Sequence, residues 1–272
     1  MPTTTSSQPA SKVEHLPLMR LAFRPFFLLA ALFSVVSLLV WLGFWHGNIL
    51  LRPYGGLVFW HQHEMLFGFA TAVVAGFLLT AVRNWTGLPS LSGAPLLGLV
   101  VLWLLGRVLM AFPMDLPGWL LLAVDLAFLP VVAITMARLV ITAKRWRNLI
   151  FIPVLLLFAT ANLAMHLGVM QGDAELIRQA AYLAVLLITL MMTVVGGRVI
   201  AMFTANRLGR TKPEPIALLE GVTLVSTAGV VVLQLVIMLG VAIPALLMGG
   251  VMLLAALANT VRMARWGGLH SW

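Results

Sequence analysis

Long apolar segments recur along this 272-residue chain and constrain its fold more than any other feature. A helix needs about 20 mainly apolar residues to cross the hydrocarbon core of a bilayer. With 62% hydrophobic and 9% charged residues, the chain also has too little polar surface for a soluble globule. We therefore predict an all-α, polytopic transmembrane bundle of about eight helices, over residues 26–45, 57–82, 94–112, 117–137, 149–170, 180–203, 216–239 and 244–261.

The segments outside these helices complete the predicted domain organisation. Residues 1–22 are expected to form a disordered cytoplasmic tail, because they begin with a polar stretch rich in Ser, Thr and Pro that lacks the features of a signal peptide. Residues 23–266 form the predicted transmembrane domain, and 267–272 a C-terminal tail. Only Gly240 to Pro244 separates the last two helices, so a single kinked helix is the alternative there.

Basic residues predict the orientation of the bundle. Lys and Arg are retained on the cytoplasmic side during insertion. Thirteen of the 17 Lys and Arg residues lie on alternate loops, whereas only Arg52 and Arg178 lie on the opposite side. We therefore expect a multi-pass membrane protein with both termini in the cytoplasm.

Composition also narrows the partners and ligands. The net charge of +9 is spread over the gaps between apolar runs, so no patch for nucleic acid is expected. Cysteine is absent, which excludes disulfides and thiolate metal sites. Histidine, carboxylate and methionine remain as metal ligands, and the scattered methionines favour packing over copper transport.

Ionisable residues gather near the predicted outer ends of the helices. A histidine in a bilayer is costly and needs a partner, and imidazole is a common ligand of haem iron and copper. We therefore predict a metal or haem site in this layer, with the candidates His46, His61, His63, Glu64, Arg107 and His166. Asp125 is placed deeper, near the middle of the membrane.

Helical geometry separates the roles of these candidates. His61 and His63 differ by about 200° around a helix, so they cannot bind one metal from a regular turn. On a regular helix His61 shares a face with Glu64, whereas His63 lies on another face. We expect Asn162 to orient the ring of His166 or to bond a neighbouring helix. Arg107 balances a haem propionate or pairs with Glu64. The alternative for each histidine is an interfacial anchor.

Several long motifs resemble one family. WHQHEMLFGF (60–69) and AGFLLTAVRNWTG (75–87) are similar to the NnrS family of bacterial membrane proteins. The same order of motifs continues through FRPFFLLAALF (23–33), LLAVDLAFLP (121–130), KRWRNL (144–149), ANLAMHLG (161–168) and GGRVIAMFTANRL (196–208).

This resemblance implies a multi-pass protein of the bacterial inner membrane that contains haem b and copper and acts in the response to nitric oxide and nitrosative stress. It places His61, His63 and Glu64 on the family motif of the second helix, and His166 on that of the fifth. His63 is the expected haem ligand, and His61 and His166 are expected to supply a second ligand or bind copper.

Near the inner face, we expect Arg198 to pair with Glu220.

Two alternatives stay open on the sequence. One is an oxidoreductase that consumes nitric oxide with electrons from quinol or a cytochrome, although no motif for either donor is visible. The other is a metal or small-solute transporter, which would place its polar groups along a pathway instead of in one outer layer. The lipid bilayer is an expected partner in every case. Nitric oxide, which partitions into lipid, is the expected partner of a haem and copper protein.

Overall fold

A computed structural model describes residues 16–48 and 51–267 of the chain. All regular structure within these ranges is helical, and eight helices are long and apolar enough to cross a membrane. The predicted fold class is therefore confirmed. The α-helices are α1 (Phe23–Trp45), α2 (Leu57–His63), α3 (Thr71–Thr86), α4 (Gly93–Ala111), α5 (Gly118–Thr142), α6 (Phe151–Gln171), α7 (Ala174–Arg207), α8 (Ala217–Met238) and α9 (Ala245–Ala264).

The second spanning helix is not a regular α-helix. Between α2 and α3 the segment Glu64–Ala70 forms a π-helix, and the three parts together span Leu57–Thr86. Within this segment the carbonyl oxygen of Gly68 accepts from the indole Nε1 of Trp103 at 3.0 Å. A π-helical segment within an α-helix often marks a functional site.

The two last helices are separate, as predicted, and the break lies between α8 and α9. Gly240 has a φ of +85°, which favours glycine, and Pro244 immediately precedes α9. Residues 1–15 and 268–272, parts of the predicted tails, lie outside the described residues. The predicted disordered tail also covers Pro17–Arg20, which forms a 3-10 turn with Met19 buried.

The chain forms two compact units, Met1–His166 and Leu167–Trp272. In the first unit α3 packs against α1 and α5, and α4 packs against α5. Lipid is as apolar as the side chains, so close packing at small residues holds such helices together. Gly76 is one of these: a Cβ there would lie 2.9 Å from the Cβ of Phe26.

One face of α1 is left for lipid. Its exposed apolar side chains follow a helical spacing, at Leu28, Leu32, Val35 and Leu39. In the second unit α8 packs against both α7 and α9. Here Gln234 of α8 donates to the side-chain oxygen of Gln179 at 2.5 Å, which ties α8 to α7.

Candidate metal centre

His63 lies at the centre of a polar cluster in the first unit. Its side chain is fully buried, and both ring nitrogens face oxygen atoms. Nδ1 lies 3.1 Å from Oε1 of Glu64, and Nε2 lies 2.8 Å from Oδ1 of Asn162 and 3.3 Å from Oδ2 of Asp125. The end of α2 and the start of the π-helix place His63 and Glu64 side by side in this cluster.

Asp125 connects the other members. Its Oδ2 accepts from Nδ2 of Asn162 at 2.7 Å and lies 3.3 Å from Nε2 of His166. Its Oδ1 accepts from Nη2 of Arg107. One carboxylate oxygen therefore serves the two histidines and the asparagine, while the other serves the arginine.

Arg107 joins the two carboxylates of the cluster. Its Nη1 donates to Oε1 of Glu64 at 2.5 Å, which is one of the two roles predicted for Arg107. The guanidinium is buried and lies over the ring of Trp103, 5.9 Å from its centroid. Buried charges in a bilayer need partners, and such groups mark functional sites by default.

Glycine lets the charged side chains approach one another. A Cβ on Gly106 of α4 would lie 3.1 Å from Oδ1 of Asp125, and a Cβ on Gly68 would lie 2.8 Å from Oε2 of Glu64. Either contact is tighter than packed atoms normally allow. The small residues of α4 and of the π-helix therefore make room for the carboxylates.

Aromatic rings enclose the two histidines. Phe59 and Phe67 flank His63 with ring centroids 5.5 and 5.1 Å from its own, and Tyr54 lies 5.4 Å from His166. The two imidazoles stand almost at right angles, with centroids 5.1 Å apart. The cluster thus sits in an apolar shell that strengthens its electrostatic interactions.

The geometry of three side chains fits a metal ion. One ligand atom each from His63, Asp125 and His166 lies within 4.8 Å of the others, and all three residues are buried. In a four-coordinate site with metal–ligand bonds of about 2.0–2.2 Å, neighbouring ligand atoms lie roughly 3.3 Å apart. The Nε2 atoms of His63 and His166 each lie at this distance, 3.3 Å, from Oδ2 of Asp125. Two imidazoles and a carboxylate make a donor set that suits first-row transition metals.

Three atoms around this set have no hydrogen-bond partner among the described residues. They are Nδ1 of His166, Oε2 of Glu64 and Nε of Arg107. An unpaired polar atom in an apolar interior is costly, so each is expected to meet a ligand or an ordered water.

His61 and His46 lie apart from the cluster. The ring of His61 stacks on Trp41 of α1, with centroids 4.2 Å apart and an interplanar angle of 16°. His46 is exposed at the end of α1. The different surroundings of His61 and His63 follow from their predicted angular separation. Glu64, which was expected to share a helix face with His61, contacts His63 and Arg107 through its Oε1.

Two members of the cluster were not predicted as site residues. Asp125 was predicted near the middle of the membrane, apart from the other candidates, but its carboxylate contacts Arg107, because α4 and α5 pack against each other. Asn162 was expected to orient His166 or to bond a neighbouring helix, and the second alternative is observed, since it bonds His63 of α2 and Asp125 of α5. The apolar helix α4 carries a single arginine, and the next helix, α5, carries a single carboxylate. Opposite charges on two consecutive apolar helices are the sequence signal that could have identified Asp125.

The comparisons with known proteins agree with the motifs. The family model described as NnrS protein matches residues 17–272, nearly the whole chain. No curated protein and no solved structure matches the chain. At the level of the family, the match supports a membrane protein of the nitric oxide response. The eight apolar helices and the extent of this match show that the chain belongs to the NnrS family.

Proposed function

We propose that this chain is a copper-binding protein of the bacterial inner membrane that protects the cell against nitric oxide and nitrosative stress. The observation that carries the proposal is the approach of two buried imidazoles, those of His63 and His166, to one oxygen of Asp125, at 3.3 Å each. These three residues are the proposed copper ligands.

The charge and the donor atoms of the cluster support a cation. Glu64 and Asp125 bring two negative charges against the single positive charge of Arg107, so an added cation is attracted in this apolar setting. Imidazole suits copper, and copper(II) lies at the top of the divalent affinity order for nitrogen and oxygen sites. When bound, copper would supply an open coordination position for a small neutral ligand such as nitric oxide.

The remaining residues hold the proposed ligands in place. Arg107 fixes one oxygen of Asp125 and so turns the other toward the histidines. Asn162 bridges His63 and Asp125, and Glu64 holds the second nitrogen of His63. Such outer contacts orient metal ligands and tune their basicity. The phenylalanine and tyrosine rings around the histidines exclude water.

Haem b, which the family resemblance implies, does not fit inside this cluster. The Nε2 atoms of His63 and His166, which haem iron would need, both face Asp125, and Asn162 lies 2.8 Å from the first of them. A porphyrin plane has no room between these groups. His61 lies outside the cluster, and its ring, stacked on Trp41, is only partly buried. We therefore favour His61 over His63 as a haem ligand.

The concentration of polar groups favours a bound cofactor over a transport pathway. Among the described residues of the first unit, the buried charged ones are Glu64, Arg107 and Asp125, and they form a single cluster around Arg107. A pathway would require such groups at successive depths across the membrane. Turnover of nitric oxide by an oxidoreductase stays open, with quinol or a cytochrome as the electron donor.

Metal analysis of the purified protein tests the proposal. The wild type and the variants His63→Ala, His166→Ala and His46→Ala would be purified in mild detergent after growth with copper and haem supplied. We expect one copper per chain in the wild type and in His46→Ala, whose ring is exposed, and loss of copper in the other two. Absorption spectra of the same samples report haem separately. A copper-free wild type, or equal copper in all four proteins, would overturn the proposal.

A further inference from the structure

A groove in the second unit lies outside the proposed metal site. It has a volume of about 430 Å³ and runs between α7 and α9, with α8 as its floor. This size lies within the range of small-molecule sites, roughly 300–1,000 Å³. Its walls are mainly apolar, and the three helices are spanning helices, so a ligand would reach the groove from the lipid.

A few uncharged polar groups converge in the groove. Asn259 of α9 donates to Oγ1 of Thr227 at 3.3 Å, and its side-chain oxygen accepts from Oγ1 of Thr193 at 3.4 Å. These distances are long for hydrogen bonds. The amide of Asn259 also donates to the carbonyl oxygen of Ala255 at 2.9 Å, and the hydroxyl of Thr227 donates to the carbonyl oxygen of Thr223 at 2.7 Å. The second amide hydrogen of Asn259 and the hydroxyl of Thr193 are therefore the donors that a ligand with better geometry would take.

The charges nearest the groove are already neutralised. Arg262 of α9 donates to both carboxylate oxygens of Glu220, at 2.9 and 2.5 Å, and to the carbonyl oxygen of Thr193 at 2.8 Å. Gly197 gives this guanidinium its space, since a Cβ there would lie 1.8 Å from Nη2. The contact between Arg262 and Glu220 was not predicted from the sequence. Because the charge is balanced within the protein, the groove favours an uncharged ligand over an anionic lipid headgroup.

The end of the groove offers an aromatic face and adaptable walls. Trp266 lines it just beyond the end of α9, and Met192, Met252 and Met263 contribute flexible thioether side chains that are largely exposed. An indole stacks on planar rings, and methionine adjusts to irregular shapes. A planar ring with hydrogen-bond acceptors at its edge and an apolar tail matches this lining.

We propose that the groove binds the headgroup of a prenyl quinone, with a ring carbonyl bonded by Asn259 and the hydroxyl of Thr193 and the tail lying along α7 and α9 toward the lipid. A prenyl quinone is uncharged and lipid-soluble. Its ring carbonyls match the polar groups of the groove, and its apolar tail matches the apolar walls. The proposal does not depend on the metal site, which lies in the first unit.

Photolabelling tests the proposal directly. The full chain, in nanodiscs of phosphatidylcholine, would be labelled with an azido-ubiquinone and the labelled peptides identified by mass spectrometry. We expect label on peptides of α7 and α9, and we expect decylubiquinone to displace it. Decylbenzene has the ring and the tail but no carbonyl oxygen, so it should not compete. Equal competition by decylbenzene would show a groove for acyl chains and overturn the proposal.

Two matched pairs of variants separate a specific site from nonspecific labelling. Asn259→Leu should raise the decylubiquinone concentration needed for displacement about ten-fold, as expected for loss of a hydrogen bond in an apolar site, whereas Thr260→Val on the exposed face of α9 should not. Ala256→Phe projects into the groove and should abolish labelling, whereas Leu257→Phe, exposed beside it, should not. Gel filtration confirms that each variant is folded. Unchanged labelling in both Asn259→Leu and Ala256→Phe would contradict the assignment, whatever the copper content.

Discussion

Nε2 of His166 lies 3.3 Å from Oδ2 of Asp125, although the two residues are 41 positions apart in the sequence. The same oxygen lies 3.3 Å from Nε2 of His63. A carboxylate that faces two imidazoles in an apolar interior is costly unless a cation or protons balance it. This relationship, more than any single histidine, indicates a metal site, and it makes Asp125 the residue to test first.

Asp125→Asn should remove most of the copper, because it keeps the volume of the side chain but replaces a charged ligand with a neutral one. We expect copper affinity to fall at least ten-fold, as measured by competition with a chelator of known affinity. Asp115→Asn is the matched control, since Asp115 is exposed in the turn before α5. Retention of wild-type affinity by Asp125→Asn would exclude the carboxylate as a ligand.

Arg107→Met should destabilise the first unit, because it leaves Glu64 and Asp125 as buried carboxylates without their shared cation. Breaking a buried pair in this way costs about 3–5 kcal/mol. Thermal unfolding in detergent should show a lower midpoint, and the double variant Arg107→Met with Glu64→Gln should recover part of the loss. Additive effects of the two substitutions would contradict the coupling that the contact implies.

Gly106→Ala should disturb the site from the neighbouring helix. The added Cβ would lie 3.1 Å from Oδ1 of Asp125, where the carboxylate also accepts from Arg107. We expect lower stability, by about 1–3 kcal/mol as for other overpacked interiors, together with weaker copper binding. Gly98→Ala on the same helix is the control, because its Cβ would meet nothing within 4 Å. If the two variants behave alike, the close approach of α4 to Asp125 is not needed.

The orientation of the bundle is a prediction from its basic residues, and the absence of cysteine makes it simple to test. Single cysteines at the exposed positions Asn48 and Arg145 lie on opposite sides of the predicted topology. In intact spheroplasts a membrane-impermeant maleimide should label Asn48→Cys and leave Arg145→Cys unlabelled until the membrane is opened. The reverse pattern would invert the topology.

The sequence predicted the helices well because apolar length is a local property. The first and last residues of a helix are less well predicted where the helix continues beyond its apolar stretch. For α7 the prediction began at residue 180, whereas the helix begins at Ala174 with Asp173 as its N-cap, whose side chain accepts from the backbone N–H of Leu176. Polar residues at this end lower the hydropathy without ending the helix.

The site was only partly predictable, because its contacts depend on which helices are neighbours. Periodicity separated His61 from His63 correctly, and the pairing of Arg107 with Glu64 followed from their common depth. Depth alone could not show that Arg107 also reaches Asp125 on α5. The π-helix at Glu64–Ala70 left no sequence signal that hydropathy could detect.

The coordination of copper in the purified protein tests the central claim most directly. X-ray absorption and pulsed electron paramagnetic resonance of the copper-loaded protein count the imidazole nitrogens bound to the metal. We predict that two imidazoles bind copper in the wild type and in His46→Ala. In His63→Ala and in His166→Ala, any copper that remains bound should have one imidazole ligand. A count of two that is unchanged by both cluster substitutions, or a wild-type site without imidazole, would contradict the account.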